Sequence, residues 1–442
     1  MSLAKWFPPP SDKACLLKWS QVSLYLWENM SSGCHRNKNE LISEDYDFHN
    51  SAPVVEHREK MLRGEWPSDG RGCEHCRDQE KHSGISDRIQ FLQNDANARY
   101  VPVELLKNPT ATRVKPTMLS VHFNNKCNMK CIYCGPNQSS AWLLELTQSG
   151  STRVNGMDPW ELDATYHQRL AKFYIWMEEN YSSLKAFDIL GGEPFIQKET
   201  YDCIDWMIAH PNLEVDAEIY SNLQIKPELF KRGIQKVKDL AKTVRQVEIT
   251  ASIDCWGPAS EYIRFGHDMA TFEENLLYML NECSEDNIII QFNMTVSTLS
   301  IPYTAELLRK IIEWNKIKQI QVNYNKCINP LMFDPHHMPK GTYTEHFAEL
   351  LKLNEQVFPH SGHGSYREYV AGIFSEIEET DSDPGQILDL ALFLGRLDKK
   401  RNTNWRTSFP WFAEIVDALP PDTYKLLPKE SDSIPAFEVI SK

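Results

Sequence analysis

The stretch VHFNNKCNMKCIYCGP, residues 121–136, places Cys127, Cys131 and Cys134 at C-x3-C-x2-C on one short loop. Closed metal sites, structural zinc and most iron–sulfur cubanes among them, take four protein ligands. Three thiolates on one loop can instead hold three irons of a [4Fe–4S] cluster and leave the fourth iron open to an outside ligand. The bland alternatives are a zinc knuckle short of one ligand, or three unrelated buried thiols. Immediately upstream, MLSVHF (118–123) reads as a strand that delivers this loop at its C-terminal end.

Working outward, the same strand-then-helix pattern recurs. KAFDIL (185–190), EVDAEIYS (214–221), QVEITASI (246–253), NIIIQFNMTV (287–296) and KQIQVNY (318–324) read as strands separated by amphipathic helical segments. Two of those helices are expected around 138–147 and from Asp158–Pro159 to about Tyr181. The β-branched, apolar runs suit strands covered on both faces, hence a parallel sheet flanked by helices. Six such units predict an α/β fold built as a partial, TIM-like (β/α)6 barrel over residues 113–326. Loops at the C-terminal strand ends are then the expected site of chemistry. Residues 1–112 read as a separate N-terminal module and 327–442 as a helical C-terminal region ending in a loose polar tail.

The loops at those strand ends carry further motifs. Gly191–Gly192–Glu193–Pro194 follows the second strand, Ser221–Asn222 the third, and Ser252-Ile253-Asp254 the fourth, with Arg264 in EYIRFG just beyond. Together with Tyr133 before the third cysteine, these residues resemble the radical S-adenosylmethionine superfamily. The resemblance implies that Cys127, Cys131 and Cys134 hold a [4Fe–4S] cluster whose open iron chelates S-adenosylmethionine (SAM). It further implies SAM contacts from Tyr133, Gly191, Gly192, Glu193, Pro194, Ser221, Asn222, Ser252, Asp254 and Arg264, with Asn293 and Thr295 near the adenine. Glycines at 191 and 192 would let backbone carbonyls approach the cofactor's ammonium, and Glu193 would add a charge-assisted contact. A solvated helix-end charge is the plain alternative for Arg264. Cys255 stands where related chains carry glycine.

A second set of thiols, Cys15, Cys34, Cys73 and Cys76, lies in the first hundred residues. Cys73 and Cys76 form a C-x2-C knuckle. The alternating run WSQVSLYLWENMSSGC predicts a hairpin able to bring Cys15 and Cys34 together. From spacing alone zinc is the better occupant. Beside the radical-enzyme motifs, the segment resembles the auxiliary-cluster extension of the SPASM/twitch subgroup, which implies a second [4Fe–4S] cluster. Those extensions usually follow the barrel, whereas this one precedes it. His35 and His75 are alternative ligands, and free thiols remain a third reading. Cys203 and Cys283 fall on apolar helix faces and read as core. Cys327, after the sixth strand, is a candidate catalytic thiol, as hydrogen-atom donor or cluster ligand. His336 and His337 read as surface histidines. Lys399, Lys400 and Arg401 read as a solvated helix end or an anchor for an acidic leader peptide.

Composition bounds the partners. A net charge of −14 with pI near 5.5 argues against nucleic acid. No apolar run reaches membrane-spanning length, and the N-terminus lacks a signal-peptide core, which predicts a cytoplasmic protein. Eleven cysteines there suit metal ligation better than disulfides. The resemblance implies an oxygen-sensitive radical SAM enzyme fed electrons by a flavodoxin or ferredoxin. Its expected substrate is a ribosomally made precursor peptide, with a small separate leader-recognition protein as a possible partner. A radical dehydrogenase or rearrangement enzyme for a sugar or nucleoside is the alternative, and a non-catalytic cluster scaffold a third.

Overall fold

In this computed structural model the described residues are 11–70, 72–83, 86–148, 165–327, 329–357, 364–379 and 381–426. The start of the helix expected at Asp158–Pro159 and most of the expected C-terminal tail lie outside them. The strands, in chain order, are β1 (Gln21–Tyr25), β2 (Met30–Ser32), β3 (Glu40–Leu41), β4 (Met118–His122), β5 (Lys130–Cys131) and β6 (Ala186–Leu190). They continue with β7 (Asn212–Ser221), β8 (Val244–Ser252), β9 (Arg264–Phe265), β10 (Ile288–Val296) and β11 (Ile320–Lys326).

Nine strands form one sheet in the order β11-β10-β8-β7-β6-β4-β1-β2-β3. The six strands expected from sequence therefore follow one another in chain order, each separated by helix, as a (β/α)6 series requires. The pairs β4–β6, β6–β7 and β10–β11 are parallel, with Ser120 opposite Asp188 and Asp188 opposite Glu218. Among the described residues, β11 and β3 are the outermost strands in this order. One expectation holds only in part: Leu119, Ser120 and Val121 of β4 are buried in succession, so that strand is covered on both faces, but others are not. In β10, Ile288, Ile290, Phe292, Met294 and Val296 are buried, whereas Ile289, Gln291, Asn293 and Thr295 are only half-buried. The same alternation leaves Asp188 and Glu218 half-buried, since successive side chains on a strand point to opposite faces.

The chain divides into two compact units that cut across the sheet's strands. The first comprises Met1–Asn125, Trp160–Tyr220 and Gln235–Glu248. In it the predicted hairpin forms from β1 and β2, paired antiparallel, and β1 runs parallel to β4 with Leu24 opposite Val121. The N-terminal segment thus contributes strands to the main sheet. The second unit comprises Lys126–Pro159, Ser221–Ile234 and Ile249–Lys442. After Lys326 its described residues hold helices and turns without strands, including Thr344–Val357, Pro384–Arg401 and Pro410–Asp417. Asn402, at φ 53°, ends the long helix Pro384–Arg401, and Trp405, Phe409 and Phe412 dock behind it as buried aromatics.

Candidate functional site

In the second unit the three-cysteine loop is held by its backbone. Cys134 N–H donates to the Cys131 carbonyl at 3.0 Å, and the Trp142 indole N–H donates to the same oxygen at 2.7 Å. Cys127 N–H donates to Ser140 Oγ at 3.1 Å, and Ser139 Oγ donates to the Met129 carbonyl at 2.6 Å. The loop's middle is β5, which pairs antiparallel with β9 so that Cys131 stands opposite Arg264. Behind it, Arg401 reaches Glu145 at 3.0 Å and lies over the rings of Trp142 and Phe265. Glu145 also pairs with Lys130. Arg401 is therefore a buried brace of the loop; its expected role as a solvated or leader-binding charge does not survive.

Tyr133 ties the loop to the end of β8. Its hydroxyl donates to Asp254 Oδ2 and accepts from Arg264 Nη1 at 2.6 Å. Arg264 also lies 3.3 Å from Asp254, and Thr295 N–H donates to Asp254 Oδ1 at 2.9 Å. Burial works against the Arg264 charge, but Cys131, Tyr133 and Asp254 outweigh it and raise its pKa further. Arg264 Nε is buried without a hydrogen-bond partner among the described residues. So Tyr133, Asp254 and Arg264, separate in sequence, form one buried cluster at the end of β8.

Asn222 approaches from another side. Its amide nitrogen lies 3.9 Å from Cys127 Sγ and donates to Asn128 Oδ1 at 3.0 Å. The turn after β7 sets this orientation: Ser221 Oγ accepts from Leu223 N–H at 3.1 Å, and Asn222 Oδ1 accepts from Gln224 N–H at 2.8 Å. Buried Asn275 then clamps the turn by donating to the Leu223 and Ile225 carbonyls. Ser252 is half-buried at the end of β8. Cys327 is buried after β11, donates to the Asn329 carbonyl at 3.7 Å, and has its thiol pushed up to about 12 by burial. Burial and the other two cysteines push the Cys134 thiol up as well. A bound cation would have to offset this resistance to ionising for the cysteines to serve as thiolate ligands.

In the first unit, Gly191 and Gly192 both have positive φ, at 87° and 55°. A Cβ on Gly191 would stand 3.0 Å from the Asn124 carbonyl oxygen and 3.0 Å from His122 Cβ. Gln197 Nε2 donates to the Gly191 carbonyl at 2.6 Å. Glu193, fully buried, accepts from Phe195 N–H at 3.1 Å and caps the turn begun by Pro194.

The first unit also gathers the second thiol set. Cys34, Cys76 and Cys73 each push the Cys15 thiol upward after burial has done so, which places all four within electrostatic reach. Gly72, at φ 115°, lets the knuckle touch the turn after Cys34; a Cβ there would overlap the Arg36 carbonyl oxygen at 2.0 Å. His35, an alternative ligand by sequence, bonds Asp87 at 2.8 Å. Buried His57, which sequence reasoning missed, bonds Asp69 at 2.6 Å and has Nδ1 3.9 Å from Cys73 Sγ. Lys18, equally missed, is 1% exposed and donates to Asn37 Oδ1 at 2.8 Å. Four sulfurs from a hairpin base and a knuckle suit either zinc or a cubane. Electrostatic reach is not ligand spacing: among the described residues no group of three or more His, Cys, Asp or Glu stands at metal-ligand spacing. No helix among them is long and apolar enough to cross a membrane.

No family model matches the chain, and no curated protein does. Among solved structures, native anSMEcpe with bound AdoMet and a Cp18Cys peptide is 15% identical at TM-score 0.31, over 63% of this chain and 66% of that one. Streptococcus suis SuiB bound to precursor peptide SuiA is 17% identical at TM-score 0.34, over 75% and 65%. TYW1 with a lysine-pyruvate adduct is 13% identical at TM-score 0.28, over 53% and 70%. The chain thus spans just under two thirds of the first two.

Proposed function

We propose that this chain is a radical SAM enzyme whose Cys127, Cys131 and Cys134 bind a [4Fe–4S] cluster with one open iron. The observation that carries the reading is the three-thiol loop locked through Tyr133 to the buried Asp254–Arg264 pair, with the Asn222 amide at Cys127 Sγ. Bound at that loop, the cluster would supply the electron that splits SAM into methionine and a 5′-deoxyadenosyl radical. The protein's part is placement. Trp142, Ser139 and Ser140 fix the loop backbone, and Arg264 sets a fixed positive charge beside Cys131. The positive-φ Gly191–Gly192 turn presents bare backbone, and at Gly191 a Cβ would crowd the Asn124 carbonyl oxygen. Ser221 and Ser252 would supply polar contacts to SAM, and Cys327 a hydrogen atom or a further ligand.

The substrate we propose is a residue of a ribosomally made precursor peptide, from which hydrogen abstraction would begin oxidation, cross-linking, epimerisation or backbone excision. Cys15, Cys34, Cys73 and Cys76 are proposed to hold a second [4Fe–4S] cluster. A flavodoxin or ferredoxin would be the electron donor and the cytoplasm the compartment, since such clusters need reducing surroundings.

Anaerobically reconstituted protein given SAM and dithionite should release 5′-deoxyadenosine, and Cys131→Ala should abolish that release. Continued release from the variant would overturn the assignment of the loop. With a deuterated peptide substrate, deuterium should appear in the 5′-deoxyadenosine. Transfer from a sugar or nucleoside instead would retire the peptide substrate.

A further inference from the structure

The buried ammonium of Lys18 lacks a counter-charge. It sits on the short helix Leu17–Ser20, three residues after Cys15, and its side chain is 1% exposed. Its one hydrogen bond among the described residues goes to Asn37 Oδ1, a neutral acceptor, at 2.8 Å. No carboxylate stands within ion-pair distance of it among those residues. Other buried cations in this unit are provided for. Arg88 meets Glu80 at 2.5 Å, and Arg58 spreads its donors over Lys18 O, Asn50, Thr112 O and His49. A charge in a low-dielectric interior is costly unless an opposite charge lies near it. Hydrogen bonds tie Lys18 to the thiol-bearing turns: its backbone N–H donates to the Cys15 carbonyl at 2.9 Å, and Asn37, which takes its ammonium, donates its own backbone N–H to the Cys34 carbonyl at 2.9 Å.

We infer that Lys18 is the built-in counter-cation of an anionic four-thiolate metal centre at Cys15, Cys34, Cys73 and Cys76. The inference rests on the reading of those four cysteines as a metal site. Four thiolates around one zinc, or around an oxidised cubane, leave a net charge of about −2 in either case. Neutral thiols leave Lys18 alone in the interior; metal binding supplies the charge that its position lacks. With a cubane, the nearby cation favours the more negative, reduced form and raises the potential.

The test uses the full chain with Cys127, Cys131 and Cys134 replaced by alanine, so that only the N-terminal thiols can load. In that background Lys18→Met and Lys18→Arg are compared with lysine after anaerobic loading with iron and sulfide, or with zinc. Lys18→Met should surrender metal to a chelator several-fold faster, and a cubane should titrate at a more negative potential. Lys18→Arg should restore both. Stripped of metal the order should invert, Lys18→Met melting above the lysine protein because an unpaired buried charge is gone. Equal metal loss and equal potential in all three proteins would overturn the role of Lys18, as would a stripped Lys18→Met protein that melts lower. A folded background protein that binds neither metal would sink the metal-site reading itself, and Lys18's role with it.

Discussion

Tyr133 joins three parts of the chain with one hydroxyl, and its neighbours differ sharply in what their loss should cost. Tyr133→Phe removes a bridge but leaves Asp254 and Arg264 at 3.3 Å from each other, so about 1 kcal/mol of stability should go. Arg264→Met leaves Asp254 buried and uncompensated, and the loss should be roughly 3–5 kcal/mol. Adding Asp254→Asn to Arg264→Met should recover part of it, because no lone charge then remains. Urea melts of the metal-free proteins check all three. A double variant no more stable than Arg264→Met would mean that the pair is not coupled. Asp254 stood out in the sequence as a candidate SAM contact; its attachment to Tyr133 was not legible, since 121 positions separate the two. The same holds for Arg401 and Glu145, 256 apart, whose pairing no local pattern encodes.

Turns and strands carry their own expectations. Gly191→Ala forces a side chain into the left-handed region and against the Asn124 carbonyl, so it should cost about 1–3 kcal/mol. A circular-dichroism melt within about 0.5 kcal/mol of wild type would show that the turn relaxes freely. Glu28, in the turn between β1 and β2, has its carboxyl pushed up to about 7 by burial. The folded state thus keeps a proton that the unfolded chain has released. Stability should fall as pH rises from about 4.5 to 7 and level off above that, by roughly 1–3 kcal/mol. Glu28→Gln should flatten this decline; an unchanged slope in pH-dependent denaturation would assign it to another group. The six long strands were readable because each is an apolar run bounded by turn residues. β9 was not, being two residues whose pairing partner, β5, lies inside the cysteine loop. β1 was readable as a hairpin strand, yet its place beside β4 depends on a partner far along the chain.

For the molecule entire, the two thiol sets fall in different compact units, so their metal contents should be independent. Fully loaded protein should carry about eight irons, and replacing either set should lower this to about four. Iron and sulfide analysis checks it; four irons with one zinc would make the N-terminal site zinc. Removing Cys73 should leave 5′-deoxyadenosine release intact while stopping substrate turnover, and unchanged turnover would confine that site to a structural part.

The parallel seam between β1 and β4 bears on how this protein can be dissected. Leu119 and Val121 are shielded within β4, whose backbone bonds on one side belong to β1. A fragment starting after residue 112 would bare that ladder along its length, an open template for another copy to zip onto. The cysteine-bearing N-terminal segment is no detachable cartridge: cut it away, and the remaining strands should be lost to precipitation before any assay begins.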